Sequence, residues 1–288
     1  MESIGVPITI NASNSTVTDN SRYVFSFRGG LQLQDMEVAL VKGFIFNSVF
    51  NVKQSVFGNS SFSYRYPNGE GFDTVNVNLQ DGHYDVDTIN DYLHSVMFTN
   101  KHFLIDIHGE PVYYISLNVN TVFYAVALTC TPVPTSLPLG WSSPPTVVLP
   151  SVLTTPQLII GSSRFGELIG YQNASYPAVP QPSTYLVIGG EATINPQYAF
   201  NVCLNVVNIP LINTVPSTIF PFSFDVPFLG QQILDPYVQK YYPCSDGKYN
   251  QLVLTILDQQ NRPAVLNTKS AQFTIEFRKS ASSSFKKG

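Results

Sequence analysis

Short alternating or β-branched apolar runs, each closed by Gly, Pro, Asn or Asp, recur along nearly the whole chain. In the first part they cover 6–10, 23–28, 36–49, 62–66 and 72–79. Beyond that they cover 103–107, 112–117, 122–129, 158–160, 185–188, 200–207, 219–226, 252–257 and 273–278. So many strand-like runs, with almost no helical period between them, predict an all-β protein. In 73–79 the apolar residues Val75, Val77 and Leu79 fall on every second position, so one face packs and the other is polar. By contrast, 38–41 and 44–46 are apolar on both faces. That suits either a central strand of a sandwich or a strand whose outer face meets a neighbouring subunit.

Two segments depart toward helix. Over 85–97, Val86, Ile89, Leu93, Val96 and Met97 recur at spacings of three and four, and Asp85 and Asp87 stand where they can accept from free backbone N–H groups. This helix is expected to pack on a sheet. A second, of one or two turns, is expected near 164–169. Between Pro132 and Pro182 prolines become frequent, and proline cannot occupy central strands. Long ordered loops are expected there, among them the lone Trp141, which either anchors a contact surface or folds onto its own domain.

Composition adds a constraint that the pattern lacks. Only 12% of the 288 residues are charged, against 13% aromatic and 21 prolines, so much of the exterior is expected to be covered by other subunits. A net charge of −4 argues against a protein that binds nucleic acid over its whole surface. No stretch is long and apolar enough for a membrane span, and the first residues lack a secretory pattern, so a soluble, cytosolically made protein is expected. Cys130, Cys203 and Cys244 have no zinc-ligand spacing and are expected as reduced, half-buried thiols. The sequons at Asn11, Asn14, Asn59 and Asn173 are ascribed to chance.

Catalytic and metal signatures fail on spacing. Counting a calcium loop from Asp85 puts Asn90 where the turn glycine belongs and Val96 where the bidentate Glu belongs. His83, His94, His102 and His108 match no zinc pattern and are taken as surface or sheet-edge residues. The segment from Gly161 to Gly166 misses the nucleophile-elbow spacing, and Gly29-Gly30 and Gly189-Gly190 are turn or bulge sites rather than phosphate loops. No catalytic, cofactor-binding or metal residue is assigned, no cofactor is expected, and the protein is not expected to be an enzyme.

Several blocks, in order, resemble the penton, or minor capsid, proteins of virophages, Polinton/Maverick-type elements and adintoviruses. They are Glu37-Val38-Ala39-Leu40-Val41 continuing through 46–52, and the more specific Gly82-His83-Tyr84-Asp85-Val86-Asp87 leading into the helix. Phe165-Gly166-Glu167-Leu168-Ile169-Gly170-Tyr171, the strand 200–207 and the closing hairpin 252–278 follow. Gln260-Asn261 and Asn267-Thr268 depart from the family's usual turn residues, although Asn tolerates the left-handed conformation.

The resemblance implies a single jelly-roll β-sandwich of eight strands, five copies of which close the vertex of an icosahedral shell. The shell itself would be built from a double jelly-roll major capsid protein. It implies a homopentamer located in the virion and assembled in the host cytoplasm, with one jelly-roll domain over 1–279 and a Pro-rich loop or small-barrel excursion at about 131–185, while composition marks a flexible basic tail at 280–288. The tail is a candidate for weak nucleic-acid contact. The competing reading is a β-sandwich attachment protein that binds a host receptor or glycan, prompted by Trp141 and 16 tyrosines.

Overall fold

In a computed structural model, which describes residues 5–145, 147–207 and 217–280, the apolar runs form antiparallel sheets. The first strands are β1 (Val6–Asn11), β2 (Thr16–Thr18), β3 (Arg22–Leu33) and β4 (Met36–Phe46). Helix α1 (Gln54–Phe57), β5 (Ser61–Asn68), β6 (Gly71–Asn78) and helix α2 (Val86–Thr99) follow. Next come β7 (Leu104–Ile105), β8 (Pro111–Val112), β9 (Ile115–Asn120), β10 (Ala125–Cys130) and β11 (Gln157–Ile160). Helix α3 (Ser163–Ile169), β12 (Ala174–Tyr176) and β13 (Tyr185–Ile188) precede β14 (Phe200–Leu204) and β15 (Thr218–Phe222). The chain closes with β16 (Gln231–Leu234), β17 (Tyr242–Pro243), β18 (Gly247–Asp258) and β19 (Ala271–Lys279).

The chain divides into two units, Met1–Phe50 with Gln197–Gly288, and Asn51–Pro196. In the first, one sheet has the order β1-β19-β4-β16, with β17 also on β4, and the other β15-β14-β18-β3-β2. Taking β16 and β17 as one interrupted strand and β2 as an added edge leaves eight strands. Their pairing is first with eighth (β1 with β19), second with seventh (β3 with β18), third with sixth (β4 with β16) and fourth with fifth (β14 with β15). That nesting is the jelly roll. Both sheets contribute to one core, with Val38, Leu40, Ile45, Phe273 and Ile275 from the first and Tyr23, Phe200, Val202, Leu252 and Leu254 from the second.

Strand β4 lies inside its sheet, between β19 and the β16 and β17 segments. Its residues Val38, Leu40 and Ile45 enter the core, while Phe44 and Phe46, on the other face, are only half-buried. The two-sided apolar pattern therefore fits a central position, with Phe44 and Phe46 leaving an apolar outer face. Met36 opposite Lys279 marks one end of the sheet, near both chain ends, and Phe46 marks the other. Phe200 pairs with Asp258, at the far end of β18 from its Gly247 pairing with Leu33. The connection between β4 and β14 thus leaves and re-enters at the end opposite the chain ends.

That connection is the second unit, with a β12-β11-β5-β6 sheet, a β13-β10-β9 sheet and a β7-β8 hairpin. Its own core includes Tyr64, Leu117, Leu128, Leu158 and Phe165. Helix α2 buries Val86, Ile89, Leu93 and Met97, and a capping box starts it, since Asp85 accepts from the Thr88 amide at 2.8 Å. It packs on β9 as the pattern predicts: Asn90 Oδ1 accepts from the Leu117 amide at 2.8 Å, and His94 Nε2 donates to the Ile115 carbonyl at 2.9 Å. The Pro-rich stretch expected as an excursion at 131–185 lies within this larger unit. Proline content marks its loops, whereas its borders depend on pairings such as Ser63 with Ile159 that no local composition reveals.

Boundaries shift where apolar runs meet turns. The run at 122–129 begins as a turn, with the strand starting at Ala125, and the run at 219–226 ends as a strand at Phe222. Gly190 donates to the Gly170 carbonyl at 2.7 Å, so Gly189-Gly190 marks a close backbone approach that a side chain at Gly170 would obstruct.

Candidate assembly surfaces

Seven described non-glycine residues have positive φ. Five are Asp19, Asn20, Asp35, Lys101 and Asn261; the other two are Tyr124 at +48° and Leu229 at +69°. The left-handed conformation costs a residue with a Cβ roughly 1–2 kcal/mol. Both side chains are also exposed, Tyr124 at 89% and Leu229 at 72%. Backbone strain and uncovered apolar surface therefore coincide, one instance in each unit, and strain of this kind persists where the surroundings over-determine it.

In the jelly roll the turn before β16 is fixed by Asn47. The Leu229 amide donates to the Asn47 carbonyl at 2.7 Å, the Asn47 amide to the Gly230 carbonyl at 2.8 Å, and Asn47 Nδ2 to the Val226 carbonyl at 2.9 Å. Ile233 pairs with Phe44 on the outer face and is exposed, as are Tyr237 and Val238 just beyond. Asp235 is the only charged residue between Asp225 and Lys240. The result is an apolar corner at an open sheet edge.

In the inserted unit, Tyr124 ends the four-residue turn between β9 and β10. Asn120 Oδ1 accepts from the Val122 and Phe123 amides at 3.2 and 3.3 Å, holding the turn so that Val122 (78%) and Phe123 (64%) also stand in solvent. Leu186 and Ile188 of edge strand β13 are exposed beside Thr129 and Ala127, their register partners on β10. No Asp, Glu, Lys, Arg or His occurs between Glu110 and Arg164. That charge-free run is a sequence signal for this surface that the proline count overlooks.

Residues with chemical potential are held in structural roles. His102 is buried, stacked on Tyr66 at 4.6 Å, with Nδ1 accepting from the Tyr64 hydroxyl at 2.9 Å and Nε2 3.4 Å from Asp73 Oδ2. Burial pushes its imidazole below the ordinary value, against the pull of Asp73. A pocket of about 120 Å³ lies beside it, lined by Asp73, Asn68, Asn100 and Lys101 among others. Tyr64 is fully buried, and burial raises its hydroxyl above the ordinary value. The expectation of surface or sheet-edge histidines therefore fails for His102, which is a core residue, while His94 lies half-buried on α2 against Tyr113 and β9. Histidine carries no periodic signal that separates these cases.

Asp85 is the helix cap, and among the described residues no cluster of three or more His, Cys, Asp or Glu could hold a metal ion. The three cysteines are free. Cys130 and Cys203 are buried and Cys244 is half-buried, and burial raises the Cys130 and Cys244 thiols to about 12. Trp141 is half-buried against the core of its own unit. Asn59 is buried and donates to the Asn51 carbonyl, whereas Asn14 and Asn173 are exposed.

Just before the basic tail, Arg278 and Lys279 belong to β19: Arg278 pairs with Glu37 at 3.3 Å, and Lys279 donates to the Gln34 carbonyl at 2.7 Å. Residues 281–288 lie outside the described ones. No described helix is long and apolar enough to cross a membrane.

No protein-family model matches the chain, and no curated protein matches it. Among solved structures, it is similar to the crystal structure of the selenomethionine-labelled mavirus penton protein. That likeness covers 96% of this chain and 99% of the other, with a TM-score of 0.44 and 10% sequence identity.

Proposed function

We propose that this protein is a structural capsid protein that forms the pentameric vertex of an icosahedral double-stranded DNA virus shell. The observation that carries the reading is the nested strand pairing of the jelly roll, on a chain whose sequence blocks resemble penton proteins and so implied that fold beforehand. The topology suits a wall component. The start of β1 and the end of β19 lie at one end of the sandwich, and β4 and β14 lead into the connecting unit at the other.

The function is shape rather than chemistry. Copies contact one another head to tail around the fivefold axis, and their outer sides grip a double jelly-roll major capsid protein. The low charge and the exposed apolar corners at Leu229 and Tyr124 supply surface for such contacts. The protein resides in the virion after assembly in the host cytoplasm, and the tail beyond Ser280 adds weak nucleic-acid contact. The test is co-expression with the double jelly-roll capsid protein of the same genome, followed by imaging of the particles. Density for this chain at fivefold vertices is expected; particles that form with the chain left in solution would exclude the reading.

A further inference from the structure

The outer face of β5 and β6 is polar. Ser61 lies opposite Asn78, Ser63 opposite Asn76 and Arg65 opposite Thr74, while Phe62 and Tyr64, which alternate with them, are buried in the core beneath. An open groove of about 290 Å³ lies on this face, lined by Ser61, Ser63, Asn76, Asn78, Gly161 and Ser162, with Phe62 at its floor. The Phe62 ring is stacked on Phe165 at 4.4 Å, so hydroxyls and amides are the groups a ligand would meet. Ser63 Oγ donates to Asn76 Oδ1 at 2.8 Å, which leaves Asn76 Nδ2 to donate elsewhere.

Arg65 stands two residues along β5 from Ser63, roughly 7 Å away on the same face. Its guanidinium lies over the Phe72 ring at 4.5 Å and donates to Gln157 Oε1 at 3.0 Å. Gln157 is buried and fixed in turn, since its Nε2 donates to the Pro177 carbonyl at 2.8 Å. Arg65 is half-buried, yet none of the described ion pairs includes it. A guanidinium is a planar fork of N–H donors that matches a carboxylate, and a partly desolvated cation without a counter-charge favours an anion beside it.

We propose that the groove and Arg65 form one binding site for an acidic glycan, with a sugar ring in the groove carrying its carboxylate to the guanidinium. The groove selects a polyol, because its side chains both donate and accept and none of them is charged. Arg65 selects the acid. An acidic peptide would satisfy Arg65 but leave the hydroxyls and amides of the groove unmatched. Neither the site nor its test depends on the vertex reading.

The test measures binding of sialyllactose, a hyaluronan oligosaccharide and neutral lactose to the full chain by ligand-observed NMR, with the methyl ester of each acidic sugar as its uncharged control. Saturable binding of an acidic glycan is expected, weakened about tenfold or more by esterification and by Arg65→Gln. Which of the two binds tells a sialic acid from a uronate. Gly161→Leu fills the groove without crowding the fold, since a Cβ at Gly161 would meet nothing within 4 Å, and is expected to abolish binding while the melting temperature holds. Asn76→Asp keeps the acceptor for Ser63 and is expected to repel the acidic sugars. No binding of either acidic glycan, equal binding of the ester, or binding undiminished in Gly161→Leu would overturn the site and leave the vertex reading standing. Equal binding of a tetraglutamate peptide would overturn the assignment of a glycan.

Discussion

Asp258 and Arg262 form an ion pair of 2.7 Å across the turn that follows β18, with the carboxylate fully buried. Burial opposes the charge on Asp258, but the Arg262 and Gln260 amides, the Arg262 guanidinium and Gln197 together hold its carboxyl below the ordinary range. Gln197 also accepts from the Val265 amide at 2.8 Å, so one buried cluster ties the closing hairpin to the segment entering β14.

A carboxyl whose folded pKa is depressed stabilises the fold above its unfolded value, and that contribution is lost as pH falls through the folded one. Asp258→Asn is therefore expected to cost about 2–3 kcal/mol at neutral pH, with the difference from wild type shrinking below about pH 4. Urea unfolding at pH 7 and pH 3.5 checks both parts. A gap of equal size at the two pH values would mean that the charge on Asp258 is not what matters.

His94 and His102 are both held below their ordinary value, primarily by burial. A depressed folded pKa again means stability that is present above the unfolded value, near 6.5, and lost as pH falls through the folded one. The inserted unit is expected to loosen on acidification below about pH 6.5. His102→Gln, which can still accept from Tyr64 and donate toward Asp73, is expected to flatten part of that response. Hydrogen exchange of the β5 and β10 amides at pH 7.5 and 5 measures it; identical acid sensitivity in the variant contradicts the assignment.

The Asp85 carboxylate is held below its ordinary range chiefly by the Thr88 hydroxyl and amide. Asp85→Ala removes the capping box of α2 and is expected to lower stability by about 1 kcal/mol. Asp85→Ser, which keeps a capping oxygen, should recover most of the loss in thermal melts.

Much of this architecture was legible in the sequence, and what escaped has physical causes. Helix α2 was readable because Ile89, Leu93 and Met97 repeat on one face and Asp85 caps it. Strand β16 was not: Gln231-Gln232-Ile233-Leu234 is short and half polar, and only its pairing with β4 makes it a strand. The same holds for the borders of the inserted unit, which long-range pairing sets. The candidate surfaces were half legible. The doubly apolar β4 was compatible with a central strand or an outer contact face, but that Tyr124 and Leu229 are both exposed and left-handed is a property of φ and solvent access, which the residue string does not carry.

Leu229→Asn keeps the turn tied to Asn47 while relieving the left-handed strain. It is expected to raise the stability of the isolated chain by about 0.5–1 kcal/mol, because Asn adopts this conformation more readily. A loss of stability in chemical denaturation would show that the Leu229 side chain contributes to its own fold.

The most direct measurement of the central claim is the mass of the purified chain by light scattering, alone and with the double jelly-roll capsid protein of the same genome, with the species imaged by negative stain. Five-membered rings, free or set in the vertices of particles, are the predicted result. A monomer in both settings, absent from any particles formed, would contradict the account.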